Sequence, residues 1–299
     1  VRVVTAATLW GVSGVSAQEL FQHAHLRALW LVAVRIVVSA VVLVAWRLVH
    51  RERLGDLVGP GPRDLWTRTA LFAIVGLLGV QATYFLAVAT GSAVTATLLQ
   101  FLSPIIILAW TTLRAWRAPR LIEVAIVLAA TGGVALVVGV SPGEQIGLAG
   151  LAWGLASAIV TALYNLTPGP LYEREPANRV VTRAFVLAAI PMLPLLVLLA
   201  PEHLGLPALA NVAFVALGGT ALPFALYLTA LDRVAALRAN VIGTLEPVVA
   251  AVVSVAIGLA TASASMALGI IAVVGAVVGA SVVRARPAAP RTERAGRLR

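Results

Sequence analysis

Apolar residues along this chain come in long runs, broken by glycine, proline or a cluster of charges, and few runs carry a charge inside them. Runs of this kind match the ~20 residues an α-helix needs to cross ~30 Å of hydrocarbon. Reading them against their punctuation predicts ten membrane helices, near 3–19, 28–47, 69–88, 92–113, 121–140, 146–166, 180–200, 209–230, 237–258 and 264–284. The connections are short apart from 47–68 and 167–179, so no linker separates soluble domains. Val1-Arg2-Val3-Val4 leads straight into an apolar run with no small-residue cleavage site behind it, which reads as a first span rather than a signal peptide.

The second half repeats the first at a constant distance of 143 residues. Trp10-Gly11 aligns with Trp153-Gly154, Gly76 with Gly219, Tyr84 with Tyr227, Pro104 with Pro247 and Gly132 with Gly275. The expected organisation is therefore a repeat over 1–143, a second over 144–284 and a basic tail over 285–299. Five spans per repeat is an odd number, which turns the second repeat upside down, and the arginines agree. Arg47, Arg51, Arg53, Arg63 and Arg68 follow span two; Arg114, Arg117 and Arg120 follow span four; Arg174, Arg179 and Arg183 follow span six. Arg233 and Arg238 follow span eight, six more lie from Arg284 to Arg299, and the loops of the other side carry only Arg27. By the positive-inside rule both termini are expected in the cytoplasm. Membrane proteins with inverted repeats of this kind often build a solute site between their halves and move it by alternating access.

Composition sharpens this picture. With 61% hydrophobic and 11% charged residues, against roughly 25% charged in soluble domains, the chain is an integral membrane protein of the all-α class. Its net charge of +10 is spread between spans and forms no basic face with interleaved aromatics, which argues against nucleic acid as a partner. All 22 basic residues are arginine, as in a chain from a GC-rich bacterial genome. The absence of cysteine excludes thiolate chemistry and cysteine-based metal or iron–sulfur centres. His23 and His25 form a weak two-ligand pair without further ligands, so no metal and no cofactor is expected. No span contains a histidine, no His-Glu-x-x-His occurs and no phosphate-cradling glycine loop is present, all of which speak against an enzyme or an ATP-driven pump.

Polar residues at helical spacing inside a span mark the face turned to protein or to a wet cavity. Span six carries Gly154, Ser157, Thr161 and Tyr164; span four carries Thr97, Gln100 and Pro104; span nine carries Asn240, Gly243 or Thr244, and Pro247. Spans three and eight add Gln81, Tyr84, Thr220 and Tyr227. Small and hydroxyl residues also serve plain helix packing, whereas Gln100, Asn240, Tyr84 and Tyr227 are bulkier and point to cavity lining. Trp10 belongs with the candidate lining residues, with packing as its other reading, and Pro104 and Pro247 are read as bends that gate the path. Trp30, Trp46 and Trp66 suit interfacial anchoring. Only Arg35 and Glu246 are charged residues well inside a span, where each costs at least ~2.5–3.5 kcal/mol unless paired or solvated. Glu246 is a candidate proton carrier, a partner for a cationic solute or half of a salt bridge to Arg35. Arg35 is in turn a candidate for binding an anionic group or for snorkelling to the headgroups.

Ten spans in two inverted five-helix units, Trp-Gly in the first helix of each unit and a proline inside the fourth resemble the EamA family of the drug/metabolite transporter superfamily. The most specific match is Leu245-Glu246-Pro247-Val248, similar to the family's Leu-Glu-Pro, with Leu102-Ser103-Pro104-Ile105 as its first-unit counterpart. Where family members often carry a Gly-Glu pair about 13 residues after the proline, this chain has Arg117 and Ala260. The resemblance implies a secondary exporter of small metabolites such as amino acids or drug-like compounds, in a bacterial cytoplasmic membrane, with protons as a possible coupling ion and lipid as its surroundings. A sugar-phosphate or nucleotide-sugar exchanger and a non-transporting sensor or structural protein are the alternatives.

Overall fold

A computed structural model of the chain describes residues 1–24, 26–50, 55, 62–90, 93–139, 147–258 and 261–282. Arg51, Arg53, His25, Ala260 and the tail 285–299 lie outside the described residues. Ten helical segments follow one another: α1 (Arg2–His23), α2 (Ala28–Val49), α3 (Arg63–Val88), α4 (Ala96–Arg114), α5 (Leu121–Val138), α6 (Leu148–Tyr172), α7 (Ala177–Leu198), α8 (Leu206–Ala230), α9 (Ala236–Ala256) and α10 (Ala264–Val282). Among the described residues nine of these are long and apolar enough to cross a membrane, one fewer than expected. The exception is α1. Arg2 at its start and Gln18, Glu19, Gln22 and His23 in its last turns lower its hydropathy, and it is wedged between α8 and α9 instead of facing lipid all round.

Exposed apolar side chains such as Val41, Trp110, Leu128, Ile159, Val197 and Ile271 cover the outside of the bundle. In water such a surface would drive aggregation; in lipid it is the solvated face. Inside, the helices exchange partners between the halves. The first helix of the first half, α1, packs on α8 and α9 of the second, and its repeat mate α6 packs on α3 and α4 of the first. In the same way α2 lies on α7 and α8, α7 on α2 and α3, and α5 and α10 pair with each other. This pattern is unchanged when the two halves are interchanged, as an internal two-fold relation requires.

The repeat is also visible in the backbone. α3 contains a π-helical stretch over Phe72–Leu78, and α8 contains one over Leu217–Ala221, around Gly76 and Gly219 respectively. Both fourth helices break at repeat-related points, α4 between Gln100 and Ser103 and α9 at Thr244, just ahead of Pro104 and Pro247. Proline cannot donate to the preceding turn, so a helix entering it loses a rung there. The Trp-Gly pairs explain themselves as well: a Cβ at Gly11 would lie 2.6 Å from the Glu246 carbonyl oxygen, and one at Gly154 would overlap Leu99. Each glycine lets a first helix touch the fourth helix of the other half.

The tryptophans depart from the sequence reading in two places. Trp30 is buried, with its indole N–H donated to the Leu196 carbonyl at 3.2 Å, and the Arg183 guanidinium sits 4.5 Å from the centre of the Trp66 ring. Trp46 is exposed as an interfacial anchor would be.

Candidate functional site

Between the halves lies a cavity of about 1290 Å³, walled by every helix except α7. Its solvent-exposed described lining gathers toward one end. The C-terminal ends of α5 and α9 and the start of α10 frame its mouth through Gly139, Ser254, Gly258, Thr261, Ser263 and Ser265, and its far end is closed by Trp10, Tyr164, Asn165, Tyr227 and Asn240.

The polar stripes converge on this space. Gln81, Tyr84, Thr97, Gln100, Thr161, Tyr164, Tyr227 and Asn240 all line it, as do Trp10, Arg35, Glu246 and Pro247. Ser157 does not: it is fully buried in α6 away from the cavity, a packing hydroxyl. Pro104 is likewise buried outside the wall, where it shapes α4 without facing the cavity.

Hydrogen bonds between helices hold these side chains. The Tyr84 hydroxyl is 3.1 Å from Thr97 Oγ1, and Gln100 Nε2 donates to Thr161 Oγ1 at 3.4 Å. Ser103 Oγ donates to Asn240 Oδ1 at 3.1 Å, tying the break in α4 to α9. The Tyr227 hydroxyl donates to Asn165 Oδ1 at 2.6 Å, with Asn240 beside it. Trp10 closes over this corner with its ring centre 5.0 Å from Phe224 and 5.2 Å from Tyr227, and Tyr164 stacks on Tyr227 at 6.0 Å.

The two intramembrane charges part company. Arg35 is 7% exposed, and its guanidinium is docked on the π-helical stretch of α8: Nε donates to Thr220 Oγ1 at 2.7 Å and Nη2 to the Gly219 carbonyl at 3.4 Å. The Phe85 ring lies 5.2 Å away. This is neither a snorkelling arginine nor a salt bridge, since Arg35 and Glu246 feel each other's charge but form no direct ion pair among the described residues. The π-helical turn supplies what the fork needs, a carbonyl released from regular pairing. Glu246 follows the break in α9 and faces the cavity, with no hydrogen bond to its carboxylate among the described residues.

Asn165 and Phe224 are missing from the polar stripes read in the sequence. Asn165 lies where the sixth span was expected to end, and Phe224 is apolar and looks like lipid contact until α1 covers it. No group of three or more potential metal-ligating residues occurs among the described residues.

The sequence profile of the EamA-like transporter family matches this chain twice, over residues 2–139 and 148–282. An uncharacterized inner membrane transporter of Salmonella typhimurium, YicL, is 31% identical over 259 residues, covering 85% of each chain. A solved crystal structure superimposes with a TM-score of 0.76 over 94% of this chain and 96% of the other at 20% identity, a likeness of fold.

Proposed function

The chain belongs to the EamA-like transporter family, and from that premise we propose that this multi-pass membrane transporter exports small organic solutes by alternating access, its units 1–143 and 144–284 rocking about the cavity between them. The observation that carries this reading is a cavity at the junction of two inverted halves whose described wall holds one carboxylate, Glu246, with no ion pair or hydrogen bond among the described residues. A fixed acidic group there suits a proton-coupled carrier of cationic or zwitterionic solutes such as amino acids or drug-like amines. It does not suit a phosphate-bearing solute. Among the described residues the one cation in the wall, Arg35, is occupied by Thr220 and Gly219, so a sugar-phosphate exchanger would lack its basic counter-surface there. Placement in a bacterial inner membrane follows the description of the Salmonella relative, and cytoplasmic termini follow the arginine pattern.

The test is to overproduce the protein in a bacterial host and compare extracellular metabolites with empty vector and with Glu246→Gln at matched membrane levels. Export predicts one class of compound accumulating outside, with most of the excess lost in Glu246→Gln. Depletion of a class from the medium would reverse the direction, and identical profiles in all three strains would favour the sensor reading.

A further inference from the structure

Around one repeat-related pair of tyrosines the contacts of the two halves differ, and the difference coincides with the closed end of the cavity. Tyr227 is 2% exposed, clamped by Asn165, stacked on Tyr164 and covered by the tilted ring of Trp10. Its repeat mate Tyr84 is half-buried on the cavity wall toward the mouth, and Trp153, the mate of Trp10, is 38% exposed instead of lying on it. What the tyrosines have in common is a polar neighbour on the adjacent fourth helix: Thr97 is bonded to Tyr84, and Asn240, the repeat mate of Thr97, stands beside Tyr227.

We propose that Tyr84 and Tyr227 are matched gates at the two ends of the path, with the Tyr227 gate shut and the Tyr84 gate open in this conformation. Each tyrosine keeps its fourth-helix neighbour throughout. The tryptophan of the opposing first helix is exchanged: Trp10 leaves Tyr227 as Trp153 closes on Tyr84. Asn165 is the positioning residue that holds the Tyr227 gate shut. This rests on the transport reading above, but its test needs no solute.

Because the chain has no cysteine, single cysteines can report each end without background. Ala6→Cys sits one helical turn below Trp10 on the same face of α1 and is fully buried; Ser254→Cys lines the mouth. Their rates of modification by a hydrophilic maleimide would be measured in nanodiscs, alone and combined with Asn165→Ala, Tyr227→Phe or Thr97→Val. Releasing the gate with Asn165→Ala or Tyr227→Phe should raise labelling at Ala6→Cys several-fold and lower it at Ser254→Cys, while Thr97→Val leaves the ratio of the two rates unchanged. Tyr227→Phe removes one oxygen and carries the test if Asn165→Ala fails to fold. Labelling that rises at both positions, which would mean a loosened bundle, or at neither, overturns the gate. A reciprocal change in a protein that moves no solute would leave the gate standing and sink the transport reading; transport without reciprocity does the opposite.

Discussion

At the scale of single residues, the polar atoms buried in the bundle separate into those that hold helices together and those offered to the cavity. Arg35 belongs to the first kind. Its fork spans Thr220 and Gly219 in one π-helical turn, a geometry that the single ammonium of lysine does not reproduce. Arg35→Lys and Arg35→Met are both expected to destabilise the protein by about 1.5–3 kcal/mol, the usual worth of hydrogen bonds to a charged group, read as a lower unfolding midpoint in detergent. Glu246→Gln should leave that midpoint unchanged, because no protein group is bonded to its carboxylate among the described residues. Most lining residues were legible in advance because a bulky polar side chain at membrane depth has few places to go. Gln81, Tyr84, Thr97, Gln100, Thr161, Tyr164, Tyr227 and Asn240 all obeyed that rule. Ser157 did not, since a hydroxyl is small enough to vanish into helix packing, and Asn165 escaped notice because span ends are expected to be polar anyway.

At the scale of elements, the spans were readable from apolar run lengths, whereas their irregularities were not. A π-helical turn adds a residue to a helix without changing its hydropathy, so those in α3 and α8 left no trace beyond the glycines they surround. The breaks in α4 and α9 were half-legible through Pro104 and Pro247, though the turn that opens lies before each proline. α1 shows the limit from the other side: the polar residues in its sequence hold its hydropathy below that of the other spans, although it packs into the same bundle. One tight contact between elements is the crossing of α5 and α10, where a Cβ at Gly269 would lie 2.6 Å from the Gly133 carbonyl oxygen. Gly269→Val should cost about 1–3 kcal/mol or more through overpacking and broaden the size-exclusion profile of the purified protein. Gly275→Ala on the same helix, with open space around it, should behave as the parent does.

At the scale of the whole molecule, the end of the bundle beyond the Tyr227 gate is further secured by charge. Arg183 donates to Glu175 at 2.6 Å, nearly out of contact with water, and Arg174 pairs with Asp64 at the surface. The repeat mates of Arg183, Glu175 and Asp64 are Ala40, Val32 and Pro207, so the mouth has no counterpart of this fastening. Arg183→Ala, which strands a buried carboxylate, should destabilise by about 3–5 kcal/mol. Asp64→Asn at the exposed pair should cost at most about 1 kcal/mol; thermal unfolding of the two variants side by side checks both. The exchange of first helices between halves bears on how such a protein is made. Arg35 and Thr220, which meet in the finished bundle, are 185 residues apart in the chain. While the ribosome is still completing the first half, Trp10, Gly11 and Arg35 stand in the bilayer with none of the surfaces they are shaped for. The N-terminal half alone is thus an unfinished object that must wait for α8 and α9, and a chain stopped after α5 should be cleared by membrane proteases unless the second half is supplied alongside it.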